Sequence, residues 1–413
     1  MEMIVKNIYQ GNSWTKLVDD EPLKAYLENK LLQLDELINE FLPACTDAGL
    51  YTGLSGYCLL KTELGQYYND VSYIDQAEQL IDRIFDILEL GETAITYASG
   101  LAGIGMMLNS LSARNVMEID MKDVHLEFAP FIKTDLTLCL YDQNFDLLYG
   151  AIGHGIYMIN ANSDGYYTNE ITILIDCLEK ASVIDREGRR IVKDEHYRET
   201  NFTGVNMGMA HGLPSMLVFL AKAFENGIEK ERTLRLFSEF FLFLVNHQNE
   251  EGTANSFFPN FITEHPLFQD KTSRQSWCYG DLGIGIALLV CAKTFRRADV
   301  YDFAVKIFDN AAQRNITQEA ASMIDPFFCH GTGGIAHLYN RAYYYTGRMQ
   351  YREASFAWLR ETQIFLNSEA YLSKLRNNGE KLELLSGVAG LGLILLSMLS
   401  DNEPQWDTFF LLS

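Results

Sequence analysis

Three short stretches of this chain hold residue types that do chemistry. They are Met209-Ala210-His211, Ser276-Trp277-Cys278-Tyr279 and Cys329-His330, each directly ahead of a glycine-rich turn. Cys278, Cys329 and His330 together have the composition of a catalytic zinc site, three protein ligands with a fourth position open. Adjacent residues on a regular helix point about 100° apart, so Cys329 and His330 can share a metal only from an irregular turn. No C-x-x-C pair strengthens that reading, and each residue has a plainer alternative. Free cysteine is most often a small buried hydrophobe, and a histidine at a turn is often simply hydrogen-bonded there. His211 is the candidate for proton transfer, since an imidazole titrates near working pH.

These residues gather only if the turns that carry them do. A glycine motif recurs seven times, beginning at Gly53, Gly100, Gly150, Gly212, Gly280, Gly331 and Gly387, with spacings of 47, 50, 62, 68, 51 and 56 residues. A period near 50 marks a repeat architecture. The fourth copy is irregular, with Pro214 inside it and Ser215 where a second glycine would stand. Each copy leads into an apolar run of helical length, and amphipathic stretches lie between copies. The clearest has Leu27, Leu31, Leu34, Ile38 and Phe41 on one helical face. The expectation is a nearly all-α chain of about 14 helices in pairs, stacked as an open solenoid or closed into a ring. The glycines read as close-packing residues: no copy carries the Lys and Ser/Thr of a phosphate-binding loop. The surplus residues of the two long intervals fall in 187–203 and 246–276, which read as rim loops or a small insertion.

The 413 residues include 33 basic and 55 acidic side chains, a net charge of −22. Such a chain repels a phosphate backbone, which argues against nucleic-acid binding. The most apolar stretch, Val388–Leu399, stops well short of the roughly 20 residues that span a bilayer. No basic segment leads into an apolar run at the N-terminus, and seven cysteines are scattered along the chain. The expectation is a cytoplasmic protein with reduced thiols.

The segments GMAHG (Gly208–Gly212), WCYGDLG (Trp277–Gly283), CHGTGG (Cys329–Gly334) and SGVAGLG (Ser386–Gly392) resemble those of the lanthionine synthetase C-like cyclases. The resemblance covers essentially the whole chain, because all seven glycine turns fall in register. It implies one domain over residues 1–413, an α,α-toroid of seven inner and seven outer helices, and one catalytic zinc on Cys278, Cys329 and His330. The implied reaction is the Michael-type addition of precursor-peptide cysteine thiols to dehydroalanine or dehydrobutyrine, which makes lanthionine and methyllanthionine thioether rings. His211 would protonate the enolate, Arg274 would stabilise its oxygen, Asp146 would orient the histidine, and Tyr279 would sit beside the metal. Plainer alternatives stand for Arg274 as a solvated charge, Asp146 as a helix cap and Tyr279 as a packed aromatic. His154 and His337 read as structural. The implied partners are a dehydrated precursor peptide (leader plus core), a separate dehydratase and an exporter. Two other roles keep the fold: addition of glutathione to dehydrated residues, as eukaryotic relatives do, or a non-catalytic peptide-binding scaffold.

Overall fold

The computed structural model describes residues 13–162, 164–192, 203–250, 255–264, 270–378 and 382–413. Parts of both expected rim segments, 193–202, 251–254 and 265–269, lie outside the described residues. The helices follow one another as α1 (Glu21–Phe41), α2 (Leu54–Tyr68), α3 (Val71–Glu89), α4 (Leu101–Ala113) and α5 (Met121–Asp142). Next come α6 (Ala151–Asn160), α7 (Thr168–Ala181), α8 (Leu213–Glu225), α9 (Lys230–Asn246), α10 (Asp281–Phe295) and α11 (Ala298–Ala312). The short α12 (Ile316–Ala320) precedes α13 (Thr332–Thr346), α14 (Met349–Leu366), α15 (Glu369–Asn378) and α16 (Val388–Leu399).

Each of the seven repeat glycines is the N-cap of a helix: α2, α4, α6, α8, α10, α13 and α16. These helices are apolar nearly all round, and α16 is buried along its whole length. The helices between them are amphipathic: α3 buries only Ala77, Leu80, Ile81 and Ile84, one stripe at helical spacing. On α1 the expected face is buried at Leu27, Leu31, Leu34 and Ile38, while Phe41 at the fraying end is only half-buried.

The chain ahead of each such helix doubles back on itself in one recurring way. In five of the seven the first helical N–H after the glycine donates to a carbonyl seven residues earlier, as in Leu54 to Asp47 (2.8 Å), Ala151 to Asn144 (2.9 Å) and Thr332 to Asp325 (3.3 Å). That carbonyl sits where a side chain on the glycine would go: a Cβ on Gly53 would lie 2.0 Å from Asp47 O, and one on Gly212 2.2 Å from Asn206 O. Gly280 is constrained twice, since its φ of 147° favours glycine and its Cβ would lie 2.0 Å from Arg274 O. In four copies the residue six before the glycine is Asp or Asn, and its Oδ1 accepts a backbone N–H two residues on. The bonds are Gly49 N to Asp47 (2.7 Å), Asp146 N to Asn144 (3.1 Å), Gly208 N to Asn206 (2.9 Å) and Phe327 N to Asp325 (3.1 Å). In the irregular fourth copy Ser215 is fully buried, and its hydroxyl donates to Gly212 O (2.9 Å).

The helices group into two compact units, residues 122–314 with 411–413, and residues 13–121 with 315–410. In the first, α6, α8 and α10 alternate with α7, α9 and α11, and two antiparallel hairpins are added. β1 (Val183–Asp185) pairs with β2 (Gly188–Arg190), and β3 (Gly204–Asn206) pairs with β4 (Phe261–Thr263). The charged segment from residue 187 therefore begins as a strand. Its Arg189 is buried against α9, with Nε 2.6 Å from Glu239. In the second unit α16 packs against both α1 and α2. There Arg341, fully buried, donates to both oxygens of Asp407, and Asp407 Oδ2 also lies 2.7 Å from His337 Nε2.

Candidate active site

In the first unit the turns before α6 and α8 bring together two residues 65 apart in sequence. His211 Nδ1 lies 2.6 Å from Asp146 Oδ2. The other carboxylate oxygen, Oδ1, accepts from the backbone N–H of Leu148 (2.6 Å) and Tyr149 (2.9 Å). Asp146 thus closes the turn ahead of Gly150 through one oxygen and meets the histidine through the other; the cap of α6 is Gly150, so Asp146 is not the helix cap that the sequence also allowed. With Oδ1 tied to two amides the carboxylate is held facing His211 Nδ1 and favours a proton on that nitrogen. The two side chains are 12% and 9% exposed, so the pair is nearly but not fully enclosed. A cavity of about 20 Å³, room for one water, lies beside the pair and is walled by Ile191, Val205, Leu213 and Met216. Asn144 and Asn206 line it as well, so its wall is part polar.

The turn before α10 carries Cys278 and Tyr279. Trp277 is buried beneath them, and Gly283 packs against its carbonyl. Cys278 Sγ lies 3.8 Å from Ser276 Oγ, and the Ser276 hydroxyl donates to Tyr279 O. The Tyr279 ring lies 6.0 Å from that of His211 and 5.5 Å from that of Phe261. Its hydroxyl oxygen accepts from Asn206 Nδ2 at 3.0 Å. Arg274 is exposed; its carbonyl accepts from Asp281 N (3.3 Å), and no described contact joins its guanidinium to His211.

Asp281, the first residue of α10, is fully buried. It accepts from Phe257 N (2.8 Å) and Phe258 N (2.9 Å) and pairs with Arg314. Burial pushes its carboxyl up to about 6, against the opposing pull of Arg314. Asp281 thereby pins the described part of the 246–276 segment to the helix that follows Cys278.

In the second unit Cys329 and His330 occupy the turn before α13. Cys329 N donates to Leu385 O (3.0 Å). The turn is irregular enough that Cys329 Sγ and a ring nitrogen of His330 lie within 4.8 Å of each other. His330 Nε2 is 3.6 Å from Asp325 Oδ2. Cys329 is buried and Cys278 half-buried, and neither is in a disulfide. Both cysteines stand two residues before their glycine, and His211, Tyr279 and His330 all stand one before.

His154 is buried on α6 with Nε2 2.7 Å from Asp135 Oδ2, and Cys139 Sγ is 3.8 Å from that same oxygen. Reading the sequence for chemistry passed over Asn206 and the Asp281–Arg314 pair. The recurrence of Asp or Asn six residues before the glycine is the signal that would have found Asn206.

The pattern of the lanthionine synthetase C-like protein family matches residues 44–411. The chain is 23% identical over 312 residues to the nisin biosynthesis protein NisC of Lactococcus lactis subsp. lactis, which covers 70% of this chain and 72% of that protein. A solved structure of nisin cyclase matches with a TM-score of 0.72 at 20% identity, over 95% of this chain and 98% of that one. This likeness shows the fold, the α,α-toroid that the resemblance implied.

Proposed function

The chain belongs to the lanthionine synthetase C-like family, and from that premise we propose that it is a zinc-dependent peptide cyclase that closes thioether rings. The substrate is a dehydrated precursor peptide, leader plus core. A cysteine thiol of the peptide adds to the β-carbon of a dehydroalanine or dehydrobutyrine. The observation that carries the reading is the His211–Asp146 pair, a histidine oriented through Nδ1 by a carboxylate that is itself tied down.

Addition forms one S–C bond and pushes the alkene electrons onto the neighbouring carbonyl as an enolate. His211, protonated on both ring nitrogens when it acts, then gives the Nε2 proton to the α-carbon and is left as the neutral ring with its proton on Nδ1; the proton released by the thiol restores the imidazolium, so the sum is S–H added across C=C. Asp146 keeps the ring turned with Nε2 outward throughout. We assign to Arg274 the stabilisation of the enolate oxygen, and to Tyr279 a place against the ring of His211.

Cys278, Cys329 and His330 would hold the zinc. Two thiols and an imidazole are donors that suit zinc, and Cys329 and His330 are already close in their turn. Bound there, zinc would supply the Lewis acidity that favours the thiolate form of a substrate thiol near neutral pH. We read residues 1–413 as one cyclase domain whose rim segments, 187–203 and 246–276, face the peptide. We place it in the cytoplasm, with a partner dehydratase supplying the substrate and an exporter taking the product.

The test is the purified protein with a dehydrated precursor peptide, following the loss of free thiols by alkylation and mass spectrometry. The expected result is loss of one thiol per ring without change of peptide mass. Thiols that stay alkylatable through a long incubation with zinc-loaded protein would end the proposal.

A further inference from the structure

We infer that Asn206 is a positioning residue that ties the turn of His211 to the turn of Cys278 through the hydroxyl of Tyr279. The inference rests on the cyclase reading above.

Asn206 does two separate jobs with the two ends of one amide. Its Oδ1 accepts from Gly208 N (2.9 Å) and closes the turn that ends in His211. That job is generic, because Asp47, Asn144 and Asp325 do the same at the matching place in their own turns. The other end is different. Asp47 and Asp325 have no amide nitrogen, and Asn144 Nδ2 donates to Tyr149 O within its own turn (3.1 Å). Asn206 Nδ2 instead donates to Tyr279 Oη, 73 residues away in the next repeat (3.0 Å).

The surroundings hold this bond in place. Asn206 is 5% exposed and ends strand β3, where it pairs with Phe261 of β4. Phe261 packs its ring 5.5 Å from that of Tyr279. Gly208 leaves the other side open for the phenol: a Cβ there would come within 2.8 Å of the Tyr279 ring. A donor amide fixed in a strand end and a ring confined on two sides leave the hydroxyl oxygen one direction for accepting. Its own proton is thereby aimed elsewhere, and the ring is fixed beside His211 and directly after Cys278.

The chain supplies its own control, since Asp at the matching place in two other turns closes them equally well. Asn206→Asp therefore keeps the turn but replaces the amide donor by a carboxylate acceptor, so the Tyr279 proton turns toward residue 206 instead of away from it. Ring formation and denaturant unfolding are measured for wild type, Asn206→Asp, Tyr279→Phe and the double variant. The expected result is a kcat about tenfold lower for Asn206→Asp with little change in KM, the size of one lost hydrogen bond. In the Tyr279→Phe background the same change should cost less than about twofold, and the unfolding midpoints should show the same non-additivity. Equal losses in both backgrounds, or a wild-type kcat in Asn206→Asp, would overturn the inference. A wild type that makes no rings would sink the cyclase reading instead, and the unfolding cycle would still decide the inference, additivity overturning it. If Asn206→Asp does not fold, Asn206→Ala runs through the same cycle.

Discussion

His211 and Asp146 show how little a functional residue carries by itself. Nothing around Asp146 in sequence distinguishes a turn-closing aspartate from a histidine partner, and in the structure one oxygen closes the turn while the other meets His211. Two predictions belong at this scale. His211→Asn should keep the metal content of wild type but lower the rate of ring closure by about 10²–10⁴-fold, the usual worth of a positioned acid. Wild-type closure rates in that variant would remove His211 from the chemistry. Cys329→Ala should lose both zinc and ring formation, as read by elemental mass spectrometry and thiol alkylation. Retention of about one zinc per chain after dialysis would show that Cys329 is no ligand. The residue types Cys, His and Asp, and their places before the glycines, were legible from sequence alone. The partner of each was not, because hydrogen bonds across 65 and 73 residues leave no mark in local spacing.

The element that matters is the repeat turn. Its glycines are demanded by backbone approach, so their replacement should be costly in proportion to what the new Cβ meets. Gly280→Ala places a methyl on Arg274 O at an unfavourable φ, and at least ~2 kcal/mol of unfolding free energy should be lost. Gly91→Ala, at φ 74° with nothing within 4 Å of its Cβ, should cost only about 1 kcal/mol. Equal losses at the two sites in denaturant melts would refute this account of the turn. Asp281 adds a pH signature to the same element. Its folded pKa, about 6, stands above its ordinary value of 3.8, so the folded state binds this proton more readily. Stability from this group is therefore full below about pH 4 and is lost as pH rises through 6. Asp281→Asn lacks that titration, so the stability difference should move in the variant's favour between pH 4 and 6, by ~3 kcal/mol at most. A difference flat across that window would mean that Asp281 is ionised throughout. The seven helix starts were legible because a glycine cap and its doubling-back chain are local. Asp281 was visible only as a carboxylate beside a glycine, since Arg314 and the amides of Phe257 and Phe258 come from elsewhere in the fold.

At the scale of the whole molecule, each compact unit has its own apolar core, with inner helices such as α10 and α16 buried almost throughout. Stripping zinc with a chelator should therefore abolish ring formation while leaving the helical circular dichroism close to that of the holo protein. Loss of the helix signal on chelation would mean that the metal carries folding energy, as in small zinc domains. No helix among the described residues is long and apolar enough to cross a membrane. The sequence by itself determined the all-α class, the sevenfold period, the helix starts and the set of reactive side chains, because glycine caps, apolar runs and amphipathic faces are written within one or two turns of chain. Tertiary structure alone decided that His211 faces Asp146, that Asn206 reaches Tyr279, and that Asp281 anchors the segment ahead of Cys278. The physical reason is range: each of those contacts joins residues brought together by packing of apolar helices, and a pattern of hydrophobicity says which face is buried without saying which polar neighbour waits there.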